Sequence, residues 1–330
     1  MEKTPIINLT DIRKTFRVVK REKGFFPALK SLFHREYNII KALDGISFTV
    51  DRGEIIGFIG PNGAGKSTAI KIMSGILVPD SGSCTIMGYC PWEKRQRYVS
   101  NIGVVFGQRT QLWWDVPVTD SFDLLRDIYK VNNNRFRENL DELTELLELS
   151  DLLSVPLRQL SLGQRMRCEI AASLLHDPEI LFLDEPTIGL DAISKLSVRK
   201  IISDLNHKRK ITVILTTHDM DDIEALTNRI ILIGKGSILY DGELTALRSR
   251  FDSKRRLEIH YQDAEDLPVP MGTKLLSEKN NHAVYEVDTE ITGISEVLNI
   301  LGRDLDIRDM NTGSRPIEEI IASLYREGNL

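Results

Sequence analysis

The sequence predicts an α/β fold: a largely parallel core sheet with an inserted helical subdomain, an antiparallel β portion and a small C-terminal α+β domain. Three observations carry this. The apolar run Ile55–Ile59 leads into a glycine-rich loop and then into Ala69-Ile-Lys-Ile-Met73, the order strand, loop, helix. From Ile180 onward, apolar strands and helical segments alternate, as a parallel sheet requires. Between them, residues 118–176 are dominated by helical periodicity, which marks them as an insertion.

In order, residues 6–18 read as a strand that ends at Ile12-Arg-Lys-Thr-Phe16. Residues 17–36 carry six Lys or Arg against two Glu, interleaved with Phe25, Phe26, Leu29, Leu32 and Phe33. The spacing of Phe25, Leu29, Leu32 and Phe33 fits one helical face, against which Gly24 and Pro27 count. Two readings stay open: a basic amphipathic segment that touches anionic lipid or a partner, or an insertion that packs back on its own domain. Ala42–Val50 resumes the strand pattern, and Asp51–Glu54 turns into the strand before the loop. Val78–Ser83 reads as a turn, Cys84–Gly88 and Ile102–Phe106 as strands. Thr119 or Asp120 can cap a helix through Tyr129, and Arg135–Leu149 places Phe136, Leu140, Leu143, Leu146 and Leu147 on one face. A third helix runs from about Leu162 to His176, so the helical subdomain spans about 88–165 within a first domain of residues 1–251. Strand Ile180–Asp184, helix Ser194–His207, strand Ile211–Thr216, helix Met220–Asn228 and a hairpin over Arg229–Gly242 complete the frame, with a last helix at Glu243–Phe251. Asp252–Arg256 reads as a linker into the second domain, 252–330. That domain has strands at Leu257–Tyr261, Ala283–Val287 and Leu305–Met310, and helices at Ile294–Leu301 and Ile317–Tyr325.

Composition narrows the function. The chain has 330 residues, 42% hydrophobic and 28% charged, with a net charge of −5, enough for one large domain or two ordinary ones. An acidic balance argues against a protein wrapped in nucleic acid, and no nucleic acid is expected as a partner. No apolar run reaches the 18 or so residues of a membrane span, and the N-terminus lacks a signal-peptide core. The expected place is the cytoplasm; work on a membrane would need another chain to cross it. Cys84, Cys90 and Cys168 form no CxxC pair and read as reduced structural thiols.

The chemistry starts at the loop. Gly60-Pro61-Asn62-Gly63-Ala64-Gly65-Lys66-Ser67 is G-x-x-x-x-G-K-S, followed by Thr68. Glycines let successive N–H groups turn inward on an anion, and the helix N-terminus adds its positive dipole end. Lys66 supplies a point charge to the β- and γ-phosphates of a nucleoside triphosphate, and the Ser67 hydroxyl can ligate Mg²⁺. The strand Ile180-Leu-Phe-Leu-Asp184 ends in two acids at the carboxyl edge of the sheet, beside that loop. There Asp184 can hold Mg²⁺ and Glu185 can take a proton from an attacking water.

With Leu160-Ser161-Leu162-Gly163-Gln164 opening a helix about 100 residues after the loop, these motifs resemble the ATP-binding cassette (ABC) ATPases. Their hallmark is L-S-G-G-Q; Leu162 stands here where the family usually has Gly. The resemblance covers residues 6–245 or so and implies a P-loop NTPase core of the ABC type. It implies that Ser161, Gly163 and Gln164 meet the γ-phosphate held by another protomer. Gln108 resembles the family's glutamine, which reaches Mg²⁺ and the attacking water. His218, ending Thr216-Thr-His218, resembles the histidine that contacts the γ-phosphate, and Asp191 in Gly189-Leu-Asp191 resembles the dimer-contacting aspartate. Phe16 sits where the family places an aromatic on adenine, with Tyr37 as a competitor. Trp113 and Trp114 lie where the family's permease docks and read either as contact anchors or as packing between subdomains. The subgroup resembled is that of drug or viologen exporters.

The resemblance therefore implies an ATP hydrolase using ATP and Mg²⁺, a homodimer or a heterodimer with a related ATPase, and an integral membrane permease that holds it peripherally on the inner face of the membrane. A soluble cassette ATPase acting on ribosomes or nucleic acid is the alternative; two cassettes, a long coiled coil or basic arms would favour it. A regulatory subunit without turnover is disfavoured by the Asp184-Glu185 pair.

Overall fold

The computed structural model describes residues 5–19, 37–107, 109–250, 253–262, 264 and 266–327. They fall into two compact units, residues 1–241 and 242–330. The boundary expected at 251/252 lies farther along the chain.

In the first unit, β1 (Ile7–Val19) and β2 (Tyr37–Val50) form a long antiparallel pair, Val19 opposite Tyr37 and Ile7 opposite Val50. Residues 17–19 of the expected insertion are thus strand, whereas 20–36, with the proposed helical face, lie outside the described residues. β3 (Ile55–Ile59) leads through the glycine-rich loop to α1 (Lys66–Met73). β4 (Ser81–Ile86) pairs with β1 and starts earlier than its sequence suggests, because Ser81 and Ser83 take up pairing with Arg13 and Thr10. After α2 (Arg95–Val99) comes β5 (Ile102–Phe106). The helices follow: α3 (Val118–Tyr129), α4 (Asn133–Leu146) and α5 (Leu162–Leu174). Neither Thr119 nor Asp120 caps α3; Pro117 is its N-cap and helical geometry already begins at Val118. β6 (Ile180–Asp184), α6 (Ala192–Arg209), β7 (Thr212–Thr216), α7 (Met220–Leu226), β8 (Arg229–Gly234) and β9 (Ser237–Glu243) complete the frame.

The sheet order is β5-β6-β7-β3-β8-β9, and the pairs from β5 to β8 are parallel. β5 therefore belongs to the core sheet although it falls inside the range expected for the helical subdomain. A second sheet, β2-β1-β4, is antiparallel. β6 shows how the sheet separates two cores: Ile180 and Phe182 join the cluster of β1, β2 and α1, whereas Leu181 and Leu183 join that of α3 to α6. All four are fully buried, the signature of a strand covered on both faces.

The second unit contains α8 (Leu244–Ser249), β10 (Lys254–Gln262), β11 (Thr273–Lys279), β12 (His282–Asp288), α9 (Ile294–Asp304), β13 (Asp306–Ser314) and α10 (Ile317–Glu327). Its antiparallel sheet has the order β11-β12-β10-β13. The expected linker is largely strand, since β10 begins at Lys254, and β11 was not expected at all. Leu257, Ile259, Tyr285, Val297 and Leu301 form this unit's own core.

Candidate functional site

The loop after β3 arrives at the carboxyl edge of the sheet. Gly65 precedes α1 with φ +114°, and a Cβ there would stand 2.4 Å from the Ala42 carbonyl oxygen. Only glycine meets both conditions. The first turn of α1, which contains Ser67 and Thr68, holds no acidic residue, so its N–H groups and positive dipole end are available to an anion. Lys66 is buried, and its Nζ donates to the carbonyl oxygens of Gly60 (2.5 Å) and Pro61 (3.2 Å). Burial pushes its ammonium pKa down, while Glu185 and Asp184 push it back up.

Strand register brings the acids to this loop. Asp184 lies opposite Phe106 of β5 and Thr216 of β7. Its Oδ1 accepts from Thr216 Oγ1 at 2.6 Å and from Ser67 Oγ at 3.2 Å. Glu185 follows in the left-handed region, φ +56°, its N–H donating to Thr216 O at 2.9 Å. A non-glycine residue there is strained, and such strain gathers at functional positions. Its carboxylate reaches the histidine: Oε2 lies 3.2 Å from His218 Nδ1. The resulting cleft of about 670 Å³ is lined by Gly60, Pro61, Asn62, Ser67, Asp184, Glu185 and His218, with Ile76, Arg109 and Ile188. Thr216 and Arg109 were not singled out from the sequence; the hydroxyl two residues before His218, at the end of its strand, was the available signal for the first.

Ser67 Oγ and Asp184 Oδ1 are hard oxygen donors already within 3.2 Å of each other on the cleft wall. Such a pair suits Mg²⁺, which takes few protein ligands and completes its shell with water and phosphate oxygens. Gln108 lies outside the described residues.

The other expected residues stand elsewhere. Ser161 caps α5: its Oγ accepts from Gln164 N–H (3.2 Å) and Gln164 Oε1 accepts from Ser161 N–H (2.9 Å), a capping box. Ser161, Gly163 and Gln164 line a second cleft, about 500 Å³, together with Ile193, Ser194 and Leu196. Asp191 caps α6 by accepting from Ser194 N–H (2.9 Å) and Oγ (2.8 Å), bonds that hold its carboxyl pKa below the usual range. Phe16 is not among the residues lining the first cleft; it pairs with Ile40 on β2, with Lys14 Nζ 5.9 Å from its ring. Trp113 and Trp114 are 41% and 48% exposed, and the Arg165 guanidinium lies 5.5 Å from the Trp114 ring.

Behind the tryptophans, Glu169 of α5 is buried and accepts from Thr110 Oγ1 and from Gln111 N–H (3.2 Å). Burial raises its carboxyl pKa against the pull of those bonds. No sequence motif marked it.

Comparison with known proteins gives the family. The family model described as ABC transporter matches residues 43–188. The chain is 30% identical over 229 residues to the ABC transporter ATP-binding protein NatA of Bacillus subtilis, covering 69% of this chain and 92% of that one. It is 30% identical over 297 residues to the daunorubicin/doxorubicin resistance ATP-binding protein DrrA of Streptomyces peucetius, covering 87% and 89%. Among solved structures, cbiO1 of Clostridium perfringens, part of the ABC transporter complex cbiONQ, superposes with a TM-score of 0.62 at 25% identity, covering 74% of this chain and 91% of that one. The cassette MJ0796, solved as a dimer bound to ADP and Pi, superposes with a TM-score of 0.60 at 25% identity, covering 72% and 98%. With its phosphate loop, acidic strand end and capped signature helix in one chain, this protein belongs to the ATP-binding, ATP-hydrolysing proteins of the ABC transporter family.

Proposed function

We propose that this chain drives a separate membrane permease, in an exporter, by ATP-dependent head-to-tail pairing with a second cassette, either its own copy or a related ATPase. One observation carries the reading: Ser67, Asp184, Glu185 and His218 line one cleft, and Ser161, Gly163 and Gln164 line another. Each cleft is half of a site that a partner cassette would complete. Ile193 and Leu196, 81% and 62% exposed beside the second cleft, supply apolar area for such a contact.

In the paired state the loop from Gly60 to Thr68 cradles the phosphates and Lys66 offsets their charge. Glu185 accepts the proton of the attacking water, His218 orients Glu185 and holds the γ-phosphate, and Gln108 helps position the water. Ser67 and Asp184, with Gln108, would hold Mg²⁺, which supplies charge neutralisation at the phosphates. ATP favours closure because contacts to its γ-phosphate exist only in the paired state. Asp191 lies at the junction, and Phe16 stacks on adenine. Trp113, Trp114 and Arg165 offer the permease an aromatic and cationic surface. Docked there, the chain sits on the cytoplasmic face of the membrane. Among the described residues no helix is long and apolar enough to cross it. Export rests on relatives named for drug resistance. Residues 252–330 act as an accessory domain.

Glu185→Gln tests the chemistry. Turnover is expected to fall by about 10²–10⁴, with ATP still bound and dimers accumulating in size-exclusion chromatography; normal turnover would remove the general-base role. The same variant, held in ATP and isolated from solubilised membranes, is expected to bring down a stoichiometric polytopic protein. Recovery with ribosomes or nucleic-acid proteins would favour the soluble alternative.

A further inference from the structure

Asp222 lies in the first turn of α7 and is completely buried. Three segments reach its carboxylate. Thr187 Oγ1, two residues beyond Glu185, donates to Oδ2. Thr217 Oγ1, one residue before His218, donates to the same oxygen at 3.2 Å. Arg199 Nε of α6, the helix capped by Asp191, donates to Oδ1 at 2.5 Å. A second layer surrounds this one. Asp219 accepts from Lys195 Nζ (2.5 Å) and Arg199 (3.5 Å) and donates its N–H to Thr217 Oγ1 at 3.0 Å.

A buried ion pair is a poor way to gain stability, since apolar groups of the same volume commonly do as well. Its distinct property is directional: each donor is fixed to one oxygen at one distance. Here the donors flank Glu185 and His218, the two groups that stand 3.2 Å apart in the cleft. We propose that Asp222 is a positioning residue that holds the segments of Glu185 and His218 in register and ties both to the helix that follows Asp191. A shift of α6 at the surface bearing Ile193 then reaches both segments through one carboxylate. The proposal rests on the hydrolytic roles given above to Glu185 and His218.

Asp222→Asn, in the full chain, tests it. The amide keeps the shape but loses the charge and one acceptor, so it cannot serve all three donors. Hydrogen–deuterium exchange reads the clamp directly. The amides of Ile188 and Leu190, bonded to Glu185 O and Thr187 O, and that of Asp219 are expected to exchange about tenfold faster. Amides of α1 should not change. In parallel, kcat is expected to fall about tenfold or more, with the KM for ATP within about twofold of wild type. Unchanged exchange at Ile188 and Leu190 would overturn the clamp whatever the rate, as would a lowered Tm with wild-type kcat and exchange. Faster exchange with unchanged kcat would overturn the positioning role, whereas normal turnover in Glu185→Gln would overturn the hydrolytic reading on which it rests. Should the variant fail to fold, Thr187→Val and Thr217→Val each remove one arm. The first should free Ile188 and Leu190 and the second Asp219; no change in either refutes the proposal.

Discussion

Leu162 occupies the place of a glycine in the family's usual signature, and its side chain has work of its own. It packs on the helical core and stands 3.2 Å from where a Cβ on Gly189 would lie. Leu162→Gly removes that contact and puts glycine in the first turn of α5. A loss of about 2–3 kcal/mol in urea unfolding is expected; a loss near zero would mean that the leucine is ornamental. His176 responds to pH. Its Nε2 bonds the Ile102 carbonyl at 2.9 Å, its ring stacks on Tyr129 at 3.9 Å, and its Nδ1 is buried without a partner among the described residues. Burial lowers its pKa more than the Ile102 bond and Asp177 raise it. The unfolded chain, with a pKa near about 6.5, therefore takes the proton first as pH falls. Its contribution to stability is full above that value and declines below it. The urea midpoint should drop from about pH 7 to 5 more steeply than that of His176→Phe, and parallel curves would exclude the assignment.

At the scale of elements, α5 and α6 meet at Gly163. A Cβ there would come within 2.4 Å of Ser194 Oγ and 2.8 Å of its Cβ. Gly163→Ala should cost about 1–3 kcal/mol by overpacking, and much less in a Ser194→Gly background. An additive double-mutant cycle would show that the helices do not touch there. Elements of this kind were legible in the sequence to different depths. The phosphate loop, Asp184-Glu185 and Thr216-Thr-His218 could be read because each is a short string at the end of an apolar strand. The chemistry and its local geometry share the same few residues. Asp222 could not be read that way: Arg199 and Thr187 lie 23 and 35 positions away. Only folding makes that aspartate a hub. β11 escaped because it has no fully buried residue and Leu275-Leu276 breaks the alternation that marks a half-buried strand. β13 was found in part; all of it but Ile307 is exposed, and the half beyond Met310 carries no apolar residue.

For the whole molecule, each unit has a core of its own among the described residues: buried clusters within 6–233 in the first and within 257–305 in the second. Calorimetry should accordingly resolve two transitions. ATP at about 100 times its Kd adds about 2.7 kcal/mol to whatever binds it. The transition of residues 1–241 should therefore rise and that of 242–330 stay fixed, and Lys66→Ala should abolish the shift. A single transition moving as one would sink the idea of independent cores. The left-handed backbone at Glu185 extends this to evolution. A residue held at φ +56° costs about 1–2 kcal/mol that glycine would not pay. Glu185→Gly is expected to melt at a higher temperature than the natural chain while hydrolysing nothing. Selection for a sturdier protein would thus press against the glutamate here, and on the proposed role selection for turnover is what keeps it.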